Sequence, residues 1–183
     1  MDTTTYSPHP PSLTIAQLGN PILREHARAL STAQYRDMAP FFKALEQKML
    51  AHNGVGIAAP QVSESVRAFI VASRPNARYP YAPLMSPTLM LNPELIWTSD
   101  DMEKDWEGCL SIPGMRARVN RHTSIEVRYL TLTGEEVSTR MEGFIARIFQ
   151  HELDHLNGIV FLDRADKADY ATEAEFLKLM QKA

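Results

Sequence analysis

The pentapeptide His151-Glu152-Leu153-Asp154-His155 constrains this chain more than any other stretch. Residues four apart in an α-helix lie one above the other on the same face, so both imidazoles can reach one point in space. Glu152 projects about 100° round the helix from His151, beside that point rather than on it. This is how a helix holds a catalytic metal ion and sets a carboxylate next to it. The flanks agree. Phe144 and Ile148, and likewise Ile145 and Phe149, pair at a spacing of four, and Asn157-Gly158 supplies a stop. The pattern predicts a helix from about Gly143 to Leu156, with one face to bury and a metal-binding face to be met by another part of the chain.

A catalytic site of this kind takes three protein ligands and keeps one position open. No histidine follows His155. Glu175 lies 20 residues on, and the single cysteine, Cys109, lies upstream within Glu107-Gly108-Cys109-Leu110-Ser111. A thiolate is a strong ligand that a metal keeps deprotonated, yet a lone cysteine is commonly a small buried apolar residue. Spacing alone leaves both candidates open.

The rest of the chain indicates one soluble domain. It has 183 residues, 44% hydrophobic and 22% charged, enough to bury a core. The 22 acids against 19 bases give a net charge of -3, which offers no attraction to nucleic acid or an anionic membrane. No apolar run approaches the roughly 20 residues that span a bilayer. Residues 1–12 are polar and proline-rich and read as a flexible lead-in to a single domain over residues 13–183. They lack the marks of a secretory signal or transit peptide, which places the protein in the cytoplasm. A monomer is the default.

Helical spacing of Phe41, Phe42, Leu45 and Met49 predicts a helix from about Asp37 to His52, with Pro40 in its first turn and Asn53-Gly54 as its stop. Strands are expected at Val66–Ala72, Thr88–Asn92, Leu95–Ser99, Thr123–Leu130 and Glu135–Met141, the last two joined by a turn at Thr133-Gly134. Pro75, Pro80, Pro83 and Pro87 mark a loop from Arg74 to Pro87. A final helix from about Thr172 to Lys182 opens on a capping box, Thr172 with Glu175. The order of elements indicates an α+β fold, with antiparallel or mixed sheets packed around the HExxH helix and a C-terminal helix outside.

Three segments then carry a resemblance: Gly54-Val55-Gly56-Ile57-Ala58-Ala59-Pro60-Gln61, Glu107-Gly108-Cys109-Leu110-Ser111 and Gln150-His151-Glu152-Leu153-Asp154-His155-Leu156. In order and separation they resemble the three signature motifs of the peptide deformylase family. The similarity extends through Leu18–Arg24 and Ile112–Arg116 and covers about Thr14 to Arg164.

The resemblance implies a metal-dependent hydrolase that removes the N-formyl group from the formyl-methionine of newly made polypeptides. It implies Cys109, rather than Glu175, as the ligand beside His151 and His155. The ion is commonly Fe²⁺ in that family, with Zn²⁺, Ni²⁺ or Co²⁺ able to replace it. A metal-activated water would attack, with Glu152 as general base and then acid. The side-chain amide of Gln61 and the backbone N–H of Leu110 would receive the oxyanion. Backbone of Val55, Gly56, Ile57 and Gly108 would hold an extended peptide, with Gly56 sparing room for the formyl hydrogen only. Phe144 and Ile148, with Val55, are candidates to line the methionine pocket, or plain core. Glu107 would be structural support, paired with Arg121.

Arg147 departs from the family's best-known members, which place an apolar residue there; it reads as a rim residue reaching substrate backbone or Glu142. Asp154 reads as a solvated or supporting residue, and His9, His26, His52 and His122 as surface or satisfied polar groups. The last helix is expected to pack on the domain, with transient ribosome contact as the other role. Competing readings are a zinc endopeptidase using Glu175, a hydrolase with Cys109 as nucleophile, and a formyl-peptide or ribosome-binding module with a structural metal.

Overall fold

The computed structural model describes residues 12–76 and 79–181. The proposed lead-in therefore lies outside the described residues except for Ser12, and so does His9. The helices are α1 (Thr32–Asp37), α2 (Ala39–Ala51), α3 (Gly143–Leu156), α4 (Phe161–Arg164) and α5 (Glu173–Met180). The strands are β1 (Gly56–Ala58), β2 (Ala68–Ser73), β3 (Met85–Thr98), β4 (Met102–Cys109), β5 (Ile112–His122), β6 (Ser124–Leu130), β7 (Glu136–Glu142) and β8 (Tyr170–Thr172). They form a five-stranded sheet in the order β1-β2-β3-β6-β7 and a three-stranded sheet in the order β4-β5-β8. Every pairing between these strands is antiparallel.

Helix α3 packs on the larger sheet and also touches β5 of the smaller one. Its inward residues Ala146, Ile148, Phe149 and Leu156 share one apolar cluster with Phe69, Val71, Met90, Ile125 and Val127. Phe149 meets Phe69 edge to face at 5.2 Å between centroids. Aromatic burial of this kind supplies much of the hydrophobic driving force. The helix spans the residues its periodicity predicts and stops at Gly158, whose φ is +72°. A Cβ there would fall 2.5 Å from the Arg24 carbonyl oxygen, so only glycine fits.

Three expectations change. The two short strands over 88–99 are one long strand, β3, that begins at Met85 inside the expected loop. It bends at Asn92, where φ is +45° and the register shifts. The Asn92 side chain substitutes for a strand partner, accepting from the Leu30 N–H at 2.8 Å and donating to its carbonyl at 2.9 Å.

Strands β4 and β5 were not foreseen. The inward positions of β5 include Arg116 and Arg121 beside Ala117 and Val119, so polar–apolar alternation is hidden although one face is buried.

The predicted C-terminal helix begins one residue later, after β8 has joined the small sheet, and Thr172 caps it by accepting from the Glu175 N–H. Phe176 of α5 is buried against Trp106 and under the Arg116 guanidinium, so this helix packs on the domain. No helix among the described residues is long and apolar enough to cross a membrane.

Candidate metal centre and active site

The β4–β5 turn brings Cys109 to the face of α3 that carries His151 and His155. The potential ligand atoms of these three residues lie within 4.8 Å of one another, and Cys109 Sγ stands 3.3 Å from His155 Nε2. Glu175 is excluded from this group. It sits on the exposed side of α5, paired with Lys178 at 2.6 Å, which leaves the endopeptidase reading without its ligand.

The donor set fits a divalent transition ion: one sulfur and two imidazoles suit several such ions, and three protein donors leave a position open. His151 is already oriented for the task. Its Nδ1–H donates to Glu107 Oε2 at 2.9 Å, which turns Nε2 toward the cluster. Burial disfavours a charged His151 ring, but Cys109 and Glu107 outweigh it and raise the His151 pKa well above its ordinary value. Both neighbours thus favour positive charge at this spot. His155 is driven the other way, first by burial and then by His151. Its Nδ1 and the Glu152 Oε2 are buried with no hydrogen-bond partner among the described residues. Orphaned polar atoms of this kind are costly unless a ligand or water meets them.

Glu107 and Arg121 meet as expected, in a two-pronged pair of 2.9 and 3.0 Å. Burial alone would push the Glu107 carboxyl up, but the Arg121 guanidinium holds it well below the usual carboxylate range. Asp154 is buried rather than solvated. It accepts from Arg121 and from Arg164, each at 2.6 Å. Arg147 is also misplaced by the sequence reading. It lines the cavity wall but is buried, donates to Glu107 at 3.0 Å, and is not the ion-pair partner of Glu142, which pairs with Arg140.

Gln61 lies below the ligands. Its Oε1 accepts from the Ala58 N–H at 2.8 Å, which leaves Nε2 to face Cys109 Sγ at 3.3 Å and Ser111 Oγ at 3.2 Å. A cavity of about 380 Å³ opens above, within the range for small-ligand sites. Val55, Gly56, Gly108, Leu110, Phe144 and Ile148 all line it. Phe144 and Ile148 serve twice, since both also pack with the main core. The Ile57 side chain does not line it and is fully buried in a core cluster with Leu45, Met49 and Ile70. Gly56 has a reason to be glycine that the sequence did not show: a Cβ there would fall on the Glu152 carboxylate. The space is kept for the carboxylate.

Sequence reasoning missed Tyr79 and Glu173, which close one wall. Both bond the buried Arg116 guanidinium, and Tyr79 packs on Phe144 with centroids 4.6 Å apart. Only the fold brings these distant segments together. Of the histidines set aside, His26 is exposed, His52 is an exposed residue at the cavity edge, and His122 donates from Nδ1 to the Ser99 carbonyl at 2.6 Å.

A family model for polypeptide deformylase matches residues 12–171. The chain belongs to this family. Among curated deformylases it is 46% identical to peptide deformylase 2 of Nostoc sp., over 95% of this chain and 98% of the relative. It is 42% identical to peptide deformylase 2 of Shewanella oneidensis, with 95% of each chain covered. The fold is similar to that of a class I type b peptide deformylase from Acinetobacter baumannii with Met-Ala-Ser bound: TM-score 0.80, 47% identity, 85% of this chain and 99% of that one. A deformylase structure from Thermotoga maritima matches with TM-score 0.75 and 33% identity, covering 84% and 97%. Membership in the deformylase family makes the chain a hydrolase, and its three signature motifs are the segments that converge on this cavity.

Proposed function

We propose that the chain, as a single catalytic domain from residue 13, removes the formyl group from formyl-methionine at the start of newly made polypeptides. The observation that carries the reading is the convergence of Cys109, His151 and His155 beside a buried carboxylate whose Oε2 has no partner among the described residues. The tripeptide in the Acinetobacter relative, Met-Ala-Ser, is what remains when formyl-Met-Ala-Ser loses its formyl group. Cys109, His151 and His155 hold the ion, and Fe²⁺ is its native identity. When bound, a divalent ion lowers the pKa of a water and polarises the formyl oxygen.

The chain's own groups do the rest. Burial raises the Glu152 pKa to about 7, which suits a carboxylate that takes a proton from the attacking water and returns it to the departing amine. Gln61 Nε2 is held pointing toward the sulfur ligand and, with the Leu110 N–H, donates to the oxyanion as charge develops. Strand β1 lies at the edge of its sheet, and an extended peptide adds to such an edge through Val55–Ile57, with Gly108 across the cavity. Phe144, Ile148 and Val55 receive the methionine side chain, and Glu107 with Arg121 holds His151 in place. The protein acts as a cytoplasmic monomer. Leu177, Leu179 and Met180, exposed on α5, offer a surface for transient ribosome contact.

The test is formate release from formyl-Met-Ala-Ser by Fe²⁺- or Co²⁺-loaded protein. Release is the expected result; none from folded, metal-loaded protein would sink the assignment. Gln61→Ala should turn over about a hundredfold more slowly with metal content unchanged, and wild-type turnover would remove Gln61 from the mechanism. Gly56→Ala should displace the Glu152 carboxylate and cost a similar factor, because shifts near 1 Å at a reacting group lose about 10²-fold. Its circular dichroism and metal content should match wild type. An alanine variant with full activity would show that Glu152 has room to spare.

A further inference from the structure

The guanidinium of Arg147 is buried between α3 and the small sheet and makes three hydrogen bonds there. Nη1 donates to Glu107 Oε1 at 3.0 Å and to the Val119 carbonyl at 2.8 Å, and Nη2 donates to the Glu103 carbonyl at 2.7 Å. Glu103 and Glu107 belong to β4 and Val119 to β5, so one side chain of α3 grips both strands of the hairpin in which Cys109 ends β4. The third acceptor, Glu107, also receives the Nδ1–H of His151. Arg147 therefore touches both sides of the ligand set without touching a ligand: the hairpin that presents the sulfur, and the carboxylate that orients an imidazole.

We propose that Arg147 is a positioning residue for the metal centre, fixing the separation between the Cys109 hairpin and the His151–His155 face of α3. The proposal rests on the reading of these three residues as ligands. Arg121 does not duplicate the role. It holds Glu107 from within β5 and bonds α3 at Asp154, whereas Arg147 lies one turn before His151 and binds strand backbone directly. A planar guanidinium supplies several fixed donors, and an ammonium cannot reproduce that fork. The two carbonyls that Arg147 satisfies would otherwise lack these donors. Loss of partners that orient metal ligands typically weakens metal binding about tenfold to a hundredfold.

The experiment measures Co²⁺ affinity by chelator competition, together with the thiolate-to-Co²⁺ charge-transfer absorption, in full-length wild type, Arg147→Met and Arg147→Lys. The expected result is Co²⁺ binding about tenfold to a hundredfold weaker in Arg147→Met, with an altered charge-transfer band, and partial recovery in Arg147→Lys. A folded Arg147→Met protein with wild-type affinity and an unchanged band overturns the proposal, even if its urea midpoint falls, because that is the signature of a merely structural side chain. Should Arg147→Met fail to fold, Arg147→Lys decides: intermediate affinity supports the role and wild-type affinity overturns it. Wild-type protein that binds Co²⁺ without a thiolate band would instead remove Cys109 as a ligand, a different failure from equal binding by wild type and variants.

Discussion

Glu152→Gln is expected to lower formate release by about 10²–10⁴-fold, the range contributed by a positioned general acid–base group, while metal content stays at the wild-type level. The amide has the carboxylate's shape and fits the space that Gly56 leaves for it, but it cannot take up a proton. The environment sharpens the test. Burial raises the Glu152 pKa from 4.5 to about 7, so the folded protein keeps this proton where the unfolded chain has already lost it. Between those two values the folded state binds more protons than the unfolded state, and stability falls as pH rises. Glu152→Gln removes that decline in chelator-treated protein, visible as a flatter dependence of urea midpoint on pH across the window. A variant as active as wild type would end the general-base assignment, and the pH series would then report only on packing.

Glu107→Ala is expected to cost about 3–5 kcal/mol of stability, the usual result of breaking a buried ion pair by removing one partner. Arg121 and Arg147 would each lose an anion at a buried position, and His151 would lose the acceptor of its Nδ1–H. Urea unfolding of chelator-treated protein measures the loss, and a midpoint equal to wild type would show that the network is dispensable. Glu107→Gln, which keeps the shape and one acceptor, should lose less. The pH dependence follows from the same pair. Burial opposes ionisation of Glu107, Arg121 outweighs burial, and the folded pKa ends below the unfolded 4.5. The stabilisation is therefore complete above that unfolded value and drains away as pH falls below it toward the folded one. Glu107→Gln should show less acid sensitivity than wild type over that interval.

How much of this was legible in the chain follows from where its information lies. The helix bearing His151 and His155 announces itself, because apolar periodicity, ligand spacing and the Asn157-Gly158 stop are all local. The convergence of Cys109 on that helix is a long-range event, and only resemblance to a family pointed to it. Strands β4 and β5 stayed hidden because the small sheet buries arginines against acids from elsewhere, and an inward arginine reads as an outward one. Arg147 was misread for the same reason. Two of its acceptors are the backbone carbonyls of Glu103 and Val119, and carbonyls leave no trace in a pattern of side chains. The bend at Asn92 split one strand into two on paper, since turn residues mark a break in alternation without saying whether the chain reverses or only kinks.

Strand β1 is three residues long and has a neighbour on one side only. As the docking edge proposed above, a strand that short would recognise the repeating amide groups common to all polypeptides and almost nothing that differs among them. Discrimination then falls on the first side chain and the blocked amine, while the remainder of the polymer passes uninspected. Few contacts also mean brief residence. Such a platform favours breadth and rapid exchange over tenacity, as suits an enzyme that must serve many clients once each and hold on to none.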